Sequence, residues 1–313
     1  EQTLKIKDDF IKSLLFITFP IVLQSLLTTA VGSADVLMLS YVNQTALSAV
    51  SLANQVQFVL NLVYVGLRTG TTAMSAQYWG RHDTASIRRL TLVVLRFSMG
   101  VSLLFFLLAF CMPRQLIHIF TSEPELIRTG AEYLRIIAFS YLFMGMSQIY
   151  LCVLKSIQQV GRSAVIGSFT LAANVLLNAV FIFGLLGFPK LGVTGVAIAT
   201  VISRAAELGL CAVDAGPVKK IRLSRTDFHD AGAVLTKNFL KYSLPVTAEG
   251  FVWGGATAVL SAIMGHLGSD IVAANSVASV VQGLATVVCF GFAEGGAVLL
   301  GKELGKSNYQ KAG

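Results

Sequence analysis

Asp35, Glu207, Glu249 and Glu294 are carboxylates set in stretches of this chain that are otherwise apolar. Asp35 falls in the first long apolar run, Leu14 to Ser40. An ionised carboxylate inside such a run costs on the order of 2.5–3.5 kcal/mol in a bilayer, and it persists where it faces a polar cavity, a partner or an ion. Cation binding is the chemistry that suits it. Asn174 and Asn178 are four residues apart and share one face of a helix, offering amide oxygens and N–H groups. Counted from the start of their spans, Asp35 lies about 30 Å along and Asn178 about 22 Å along, so one pocket could hold both. Such amides also join helices by hydrogen bonds, and both roles stay open for the pair. Glu249 lies four residues after Pro245, about 12 Å into its span at 1.5 Å per residue, and is a second candidate for a cation. Arg204 and Glu207 are three apart and can neutralise each other. Gln24, Asn54, Gln55 and Gln148 add uncharged polarity that suits the wall of a cleft or contacts between helices.

The elements that carry these residues are membrane spans. Hydrophobic residues make up 55% of the chain and charged residues 13%, which is far from a soluble domain. The apolar residues fall in blocks long enough to cross a bilayer. Eight spans are expected, at about 14–40, 46–78, 88–112, 131–155, 163–188, 193–215, 241–266 and 271–301. The segment from Arg114 to Arg128 mixes apolar and charged residues and reads as a short interfacial helix. The connecting segments 1–13, 79–90, 155–162, 216–241 and 302–313 hold 17 of the 24 Lys and Arg residues, so they and the N-terminus are expected on the cytoplasmic side. No cleavable signal is read, and the first span serves as its own insertion signal. A multi-pass protein of the plasma (inner) membrane follows.

An internal repeat organises the spans. A shift of 225 residues aligns Lys12–Arg88 on Lys237–Gly313 without a gap, with about 12 identities in 77 positions. Pro20 falls on Pro245, Gln57 on Gln282, and Gly66, Gly70 and Gly80 on Gly291, Gly295 and Gly305. Internal repeats characterise transporter folds. Six spans separate the copies, so both halves share one orientation about an axis along the membrane normal. The expected class is an all-α polytopic membrane bundle: a six-span lobe (1–215), a cytoplasmic linker (216–240) and the first two spans of a second, pseudo-twofold-related lobe (241–313). The second copy stops after two spans, so the chain is expected to be C-terminally incomplete. Residue 293 is the repeat partner of Arg68, so Arg68 and Glu294 would face one another across the axis if spans two and eight meet and would help close the cytoplasmic side, the alternative being separate roles for the two. Pro20 and Pro245 are candidate hinges, since proline breaks the helical hydrogen-bond ladder.

Several stretches carry a resemblance: Gln77-Tyr78-Trp79-Gly80-Arg81, Val160-Gly161-Arg162, Asn174-Val175-Leu176-Leu177-Asn178, and Leu191-Gly192-Val193-Thr194-Gly195-Val196-Ala197. With Pro20 and Asp35 in the first span, the chain resembles the multidrug and toxic compound extrusion (MATE) family. The resemblance implies an antiporter driven by H⁺ or Na⁺ that exports organic, often cationic compounds as two lobes rock about a central cleft. It matches Asp35 to the family's first-helix acid, and Asn174 and Asn178 to its fifth-helix polar pair. Many members carry Asp where this chain has Asn178.

Other classes find less support. The four histidines fall in loops or at span ends without metal-ligand spacing, no Gly-rich loop follows a strand, and no enzyme or cofactor is indicated. The four scattered cysteines form no framework. The net charge of +8 is explained by topology rather than nucleic acid. A lipid-linked precursor flippase of the same broad superfamily is the alternative, and it would need several arginines deep in the spans. Here Arg68, Arg96 and Arg204 are the only ones. The expected partners are small organic substrates and membrane lipid, and the expected state is a monomer.

Overall fold

The computed structural model describes residues 2–41, 44–215, 233–267 and 269–306, with the side chains at 2–11, 32–37, 40, 44, 186, 258, 261–262, 264–281 and 284 not described. Nine α-helices occupy the described residues, with no strand among them: α1 (Gln2–Ser40), α2 (Gln44–Gly80), α3 (Thr84–Cys111), α4 (Pro113–His118), α5 (Pro124–Ser156), α6 (Val160–Phe183), α7 (Gly192–Ala215), α8 (Ala233–Leu267) and α9 (Ser269–Gly305). All but the short α4 carry one of the eight expected spans. Within α1, α2, α3, α5, α6, α7 and α9, the described residues include stretches long and apolar enough to cross a membrane. Phe16, Phe19, Leu104, Val165 and Leu176 are exposed, as helix faces turned to lipid should be.

Two boundaries differ from expectation, each for a local reason. The segment 114–128 is not one interfacial helix. Pro113 starts the six-residue α4, a turn follows, and Pro124 starts α5, so Glu125 to Arg128 belong to the long helix. Proline at the first helical position has no N–H to lose and already has helical φ. The fifth span ends at Phe183 because Gly184 takes φ 70° and its N–H returns to the Val180 carbonyl, a left-handed glycine cap.

α5 is the centre of the first lobe. It packs against α2, α3 and α7, while α6 bridges α7 to α1. Buried Leu60, Tyr64, Leu90, Val94, Leu134 and Tyr141 fill the space between α2, α3 and α5. Small and hydroxyl residues let those helices approach: Ser98 Oγ donates to the Gly145 carbonyl at 2.5 Å, and the Tyr64 hydroxyl meets Ser102 Oγ at 2.5 Å. Lipid tails provide no hydrophobic drive between helices, so close packing and such hydrogen bonds hold the lobe together. Asp83 caps α3 by accepting from the Ser86 amide at 3.0 Å and the Ser86 hydroxyl at 2.5 Å. Those bonds hold its carboxyl below the usual carboxylate range. The stability they add is therefore present above the unfolded-state pKa and is lost as pH falls through the lower folded value. Asp83→Ala should cost about 1 kcal/mol, seen as faster hydrogen exchange in residues 84–88 at neutral pH and little difference from the parent in strong acid.

The repeat is visible in the contacts as well as in the sequence. α8 packs on α2, and α9 packs on α1 and α2. A Cβ added to Gly66 would strike Thr247, and one on Gly291 would strike Val22, the repeat partner of Thr247. Likewise Gly70 abuts Ser243, and Gly295 abuts Thr18, the partner of Ser243. Gly80 abuts the Lys302 carbonyl and Gly305 the carbonyl of Gln77, again exchanged partners. Ala76 and Gly301, which are partners of each other, meet directly, so the pseudo-twofold axis passes between them. α8 and α9 are the second-lobe counterparts of α1 and α2.

Candidate functional site

A cavity of about 1060 Å³ lies between the first lobe and α8–α9. Its walls follow from helical periodicity. α2 contributes Asn54, Asn61 and Arg68, seven residues apart and so on one face. α5 contributes Met144, Gln148, Leu151 and Lys155, and α7 contributes Thr200, Ser203, Arg204 and Glu207, both at spacings of three and four. α1 adds Gln24 and Thr28, α6 adds Thr170 and Asn174, α8 adds Thr257, and α9 adds Phe290 and Glu294. The cavity runs from the level of Leu39 and Leu47 to that of Arg68 and Lys155. At the level of Arg68 the glycines Gly66 and Gly70 seat α2 on α8, and beyond it, toward the turn at residues 81–83, the crossing of α2 with α9 at Gly80, Gly301 and Gly305 brings the two helices into contact.

The floor carries most of the charge. Glu207, 2% exposed, accepts from Arg204 Nη1 at 2.8 Å, Ser147 Oγ at 2.5 Å and Gln148 Nε2 at 3.4 Å. Arg204 and Glu207 thus pair within one helix and tie α7 to α5. Glu294 of α9 pairs with Lys155 Nζ of α5 at 3.2 Å, a link between lobes. The expected partner of Glu294 was Arg68. Both line the cavity, but the ammonium on the last turn of α5 takes the carboxylate, and the repeat equivalent of Arg68 is Ala293, one position away. Two further bonds join the lobes at this end: Lys302 Nζ to Gln158 Oε1 at 2.6 Å, and Arg81 Nε to the Gly305 carbonyl at 3.4 Å.

Higher in the first lobe, Asn178 Nδ2 donates to Asn174 Oδ1 at 3.3 Å, and Asn174 Nδ2 donates to Thr200 Oγ1 at 3.4 Å. Asn174 reaches the cavity wall, whereas Asn178 is fully buried behind it. Asp35 lies on α1, which packs along α6, and its side chain is outside those described. Gln24, Asn54, Gln55 and Gln148 all line the cavity. Glu249 does not. Gly254 of α8 turns onto Leu62 of α2, and Glu249 sits on an exposed face away from the cavity wall. α1 and α8 continue as helices through Pro20 and Pro245.

Thr200, Lys155 and Lys302 were not among the residues singled out from sequence. Thr200 looked like any hydroxyl in an apolar run, and the two lysines like topology signals. The resembling motifs have structural work to do. Arg162 pairs with Asp214, which also accepts from the Tyr150 hydroxyl at 2.7 Å, binding α5, α6 and α7 together. Gly195 lets α7 close on Phe181 of α6, and the Leu191 amide donates to the Phe181 carbonyl at 2.9 Å. Among the described residues no group of three His, Cys, Asp or Glu side chains could hold a metal.

Comparison with known proteins agrees with this fold. The MatE family model matches residues 20–180. A probable multidrug resistance protein NorM of Thermotoga maritima is 26% identical over 308 residues, covering 95% of this chain and 64% of that protein. A second probable NorM, from Rhizobium meliloti, is 28% identical over 94% of this chain and 63% of its own length. The chain therefore spans less than two thirds of these relatives. Among solved structures, a MOP superfamily transporter of Pyrococcus furiosus superposes with a TM-score of 0.87 at 20% identity, over 96% of this chain and 66% of that one. A MATE crystallised with MaD3S gives 0.88 at 20% identity, over 96% and 67%. At that identity the likeness is one of fold.

Proposed function

As this chain belongs to the MatE family of multi-pass membrane transporters, we propose that it is the substrate-cavity part of a cation-coupled antiporter that exports organic, drug-like compounds by alternating access. The cavity of about 1060 Å³ carries this proposal: it is bounded by both lobes and stops at a layer of glycine crossings on one side. With the basic connecting segments in the cytoplasm, the arrangement is an outward-facing state of an inner-membrane protein whose N-terminus is cytoplasmic. Rocking of α8–α9 against the first lobe would part Lys155 from Glu294 and Lys302 from Gln158, and so open the other side. Asp35 with Asn174 and Asn178 is the proposed site of the coupling H⁺ or Na⁺, with Thr200 as a further oxygen. Glu249 has no proposed part in it.

The flippase alternative draws on Arg68, Lys155 and Arg204 at the floor. Two of these cations are already engaged by Glu294 and Glu207, which leaves too little positive charge for a pyrophosphate. Cells expressing the full protein should accumulate less ethidium under an imposed Na⁺ or H⁺ gradient and recover normal accumulation when the gradient is collapsed. Accumulation that ignores both gradients would end the antiporter proposal.

A further inference from the structure

The ends of the spans opposite the turn at residues 81–83 hold few cations. Of the 24 Lys and Arg residues, four fall there: Arg114, Arg128, Arg135 and Lys190. A topology signal would place such residues on the other side, yet three of the four meet at one spot. Arg114, Arg128, Arg135 and Glu132 line a notch of about 60 Å³ between α4 and α5. Sites for small molecules begin at about 300 Å³, so this one suits a single compact group. Its walls are fixed: Pro113 and Ile117 of α4 are buried, and Gly130 of α5 faces the Ile117 side chain.

Arg128, Glu132 and Arg135 are four and three residues apart and so share one face of α5. Among the described residues, none of the four charged side chains in the notch forms an ion pair. Three guanidiniums against one carboxylate leave an excess of two positive charges, and Glu123 and Glu125, at the start of α5, do not line the notch. Guanidinium forks match the oxygens of a phosphate in bidentate geometry.

A second feature lies next to the first. Phe139 follows Arg135 by four residues on the same face, and it meets Phe106 and Phe110 of α3 edge-on, with ring centroids 5.1 and 5.6 Å away. Phe139 is 41% exposed and Phe110 38%. A cationic notch thus sits at the head of an aromatic plate turned to lipid. A free phosphate would gain nothing from that plate, whereas a molecule with phosphate at one end and hydrocarbon at the other uses both.

We propose that the notch binds the phosphate of an anionic phospholipid, with one acyl chain lying along Phe106, Phe110 and Phe139. Basic pockets between membrane helices hold such headgroups through charge and hydrogen bonds together. With the basic connecting segments in the cytoplasm, the lipid belongs to the outer leaflet. It ties α4 to α5 away from the central cavity, and the site does not depend on what the protein exports.

A tryptophan placed at the plate reads the lipid beside it. The full protein carrying Phe139→Trp, with Trp79→Phe and Trp253→Phe, is reconstituted in vesicles that contain acyl-brominated phosphatidylglycerol or acyl-brominated phosphatidylcholine. Quenching gives the relative affinity of the two lipids at that position. The anionic lipid should be preferred about tenfold, and Arg128→Gln with Arg135→Gln should bring the ratio close to one. Glu132→Gln should raise it, and Lys190→Gln should leave it within about twofold. Arg114→Gln, on the other wall, should lower it by itself and serves if the double variant fails to fold. Equal quenching by both lipids in the parent would overturn the proposal, as would a preference that survives the double variant. A preference that falls as much with Lys190→Gln would make it a general surface-charge effect and overturn the site. Loss of the preference on adding inorganic phosphate at constant ionic strength would assign the notch to a soluble anion and overturn the lipid.

Discussion

Asp35→Asn should bring gradient-driven efflux down to the level of cells lacking the protein while substrate binding stays within about twofold. Asp35 stands five residues before the end of α1 and Asn178 five before the end of α6. The two helices pack together, and Gln24 of α1 meets Gly167 of α6, each eleven residues before Asp35 and Asn178, so with both spans running outward the acid and Asn178 would come to a similar depth. A neutral amide in place of the carboxylate removes the charge whose burial costs on the order of 2.5–3.5 kcal/mol, and with it the reason for a cation to bind. The variant is nearly isosteric, so the helix contacts survive and a loss of coupling is separated from a loss of fold. The measurement is substrate uptake into inverted vesicles under imposed Na⁺ and H⁺ gradients, beside equilibrium binding of the same substrate. Efflux that persists in Asp35→Asn would move the coupling site elsewhere. Glu207 would be next to test, since it is 2% exposed and lines the cavity.

What could be read from the chain beforehand was whatever depends on period and repetition. Apolar blocks located the spans, and the 225-residue shift paired Gly66, Gly70 and Gly80 with Gly291, Gly295 and Gly305; that these glycines meet the other lobe is seen in the structure, where close helix crossings need residues without side chains. Arg204 and Glu207 were legible as a pair because their partnership is local to one helix. Glu294 was not, because its partner is chosen by the angle at which α5 meets α9, and Lys155 lies 139 residues away in sequence. The same holds for Glu249. Its position after Pro245 was visible, but its face depends on how Gly254 rolls α8 onto α2. Thr200 joins the asparagines only because Gly195 brings α7 against α6. Pairing across helices is a tertiary property, and one sequence carries little of it.

The glycine crossings supply the other large effect. Gly80 and Gly305 exchange partners about the pseudo-twofold axis, each with its Cα against the backbone of the opposite helix. A side chain there meets a carbonyl that belongs to a helix ladder and cannot swing aside. Gly80→Val should therefore force α2 and α9 apart at a cost of about 1–3 kcal/mol, and Gly305→Val should match it, since the two sites are equivalent. The control is Gly100→Ala on α3, where an added Cβ meets nothing within 4 Å. Thermal unfolding of the purified protein should fall by several degrees for both crossing variants and hold for the control. Cys152 gives a second readout: it is buried beneath the cavity floor, bonded to Thr72 and the Arg68 carbonyl. With the other three cysteines replaced, it should be inert toward a membrane-impermeant maleimide added from the side of the 81–83 turn in the parent, and become reactive once the crossing is wedged open. A Cys152 that stays unreactive in both variants, with unfolding unchanged, would mean that the lobes are sealed by something other than these contacts.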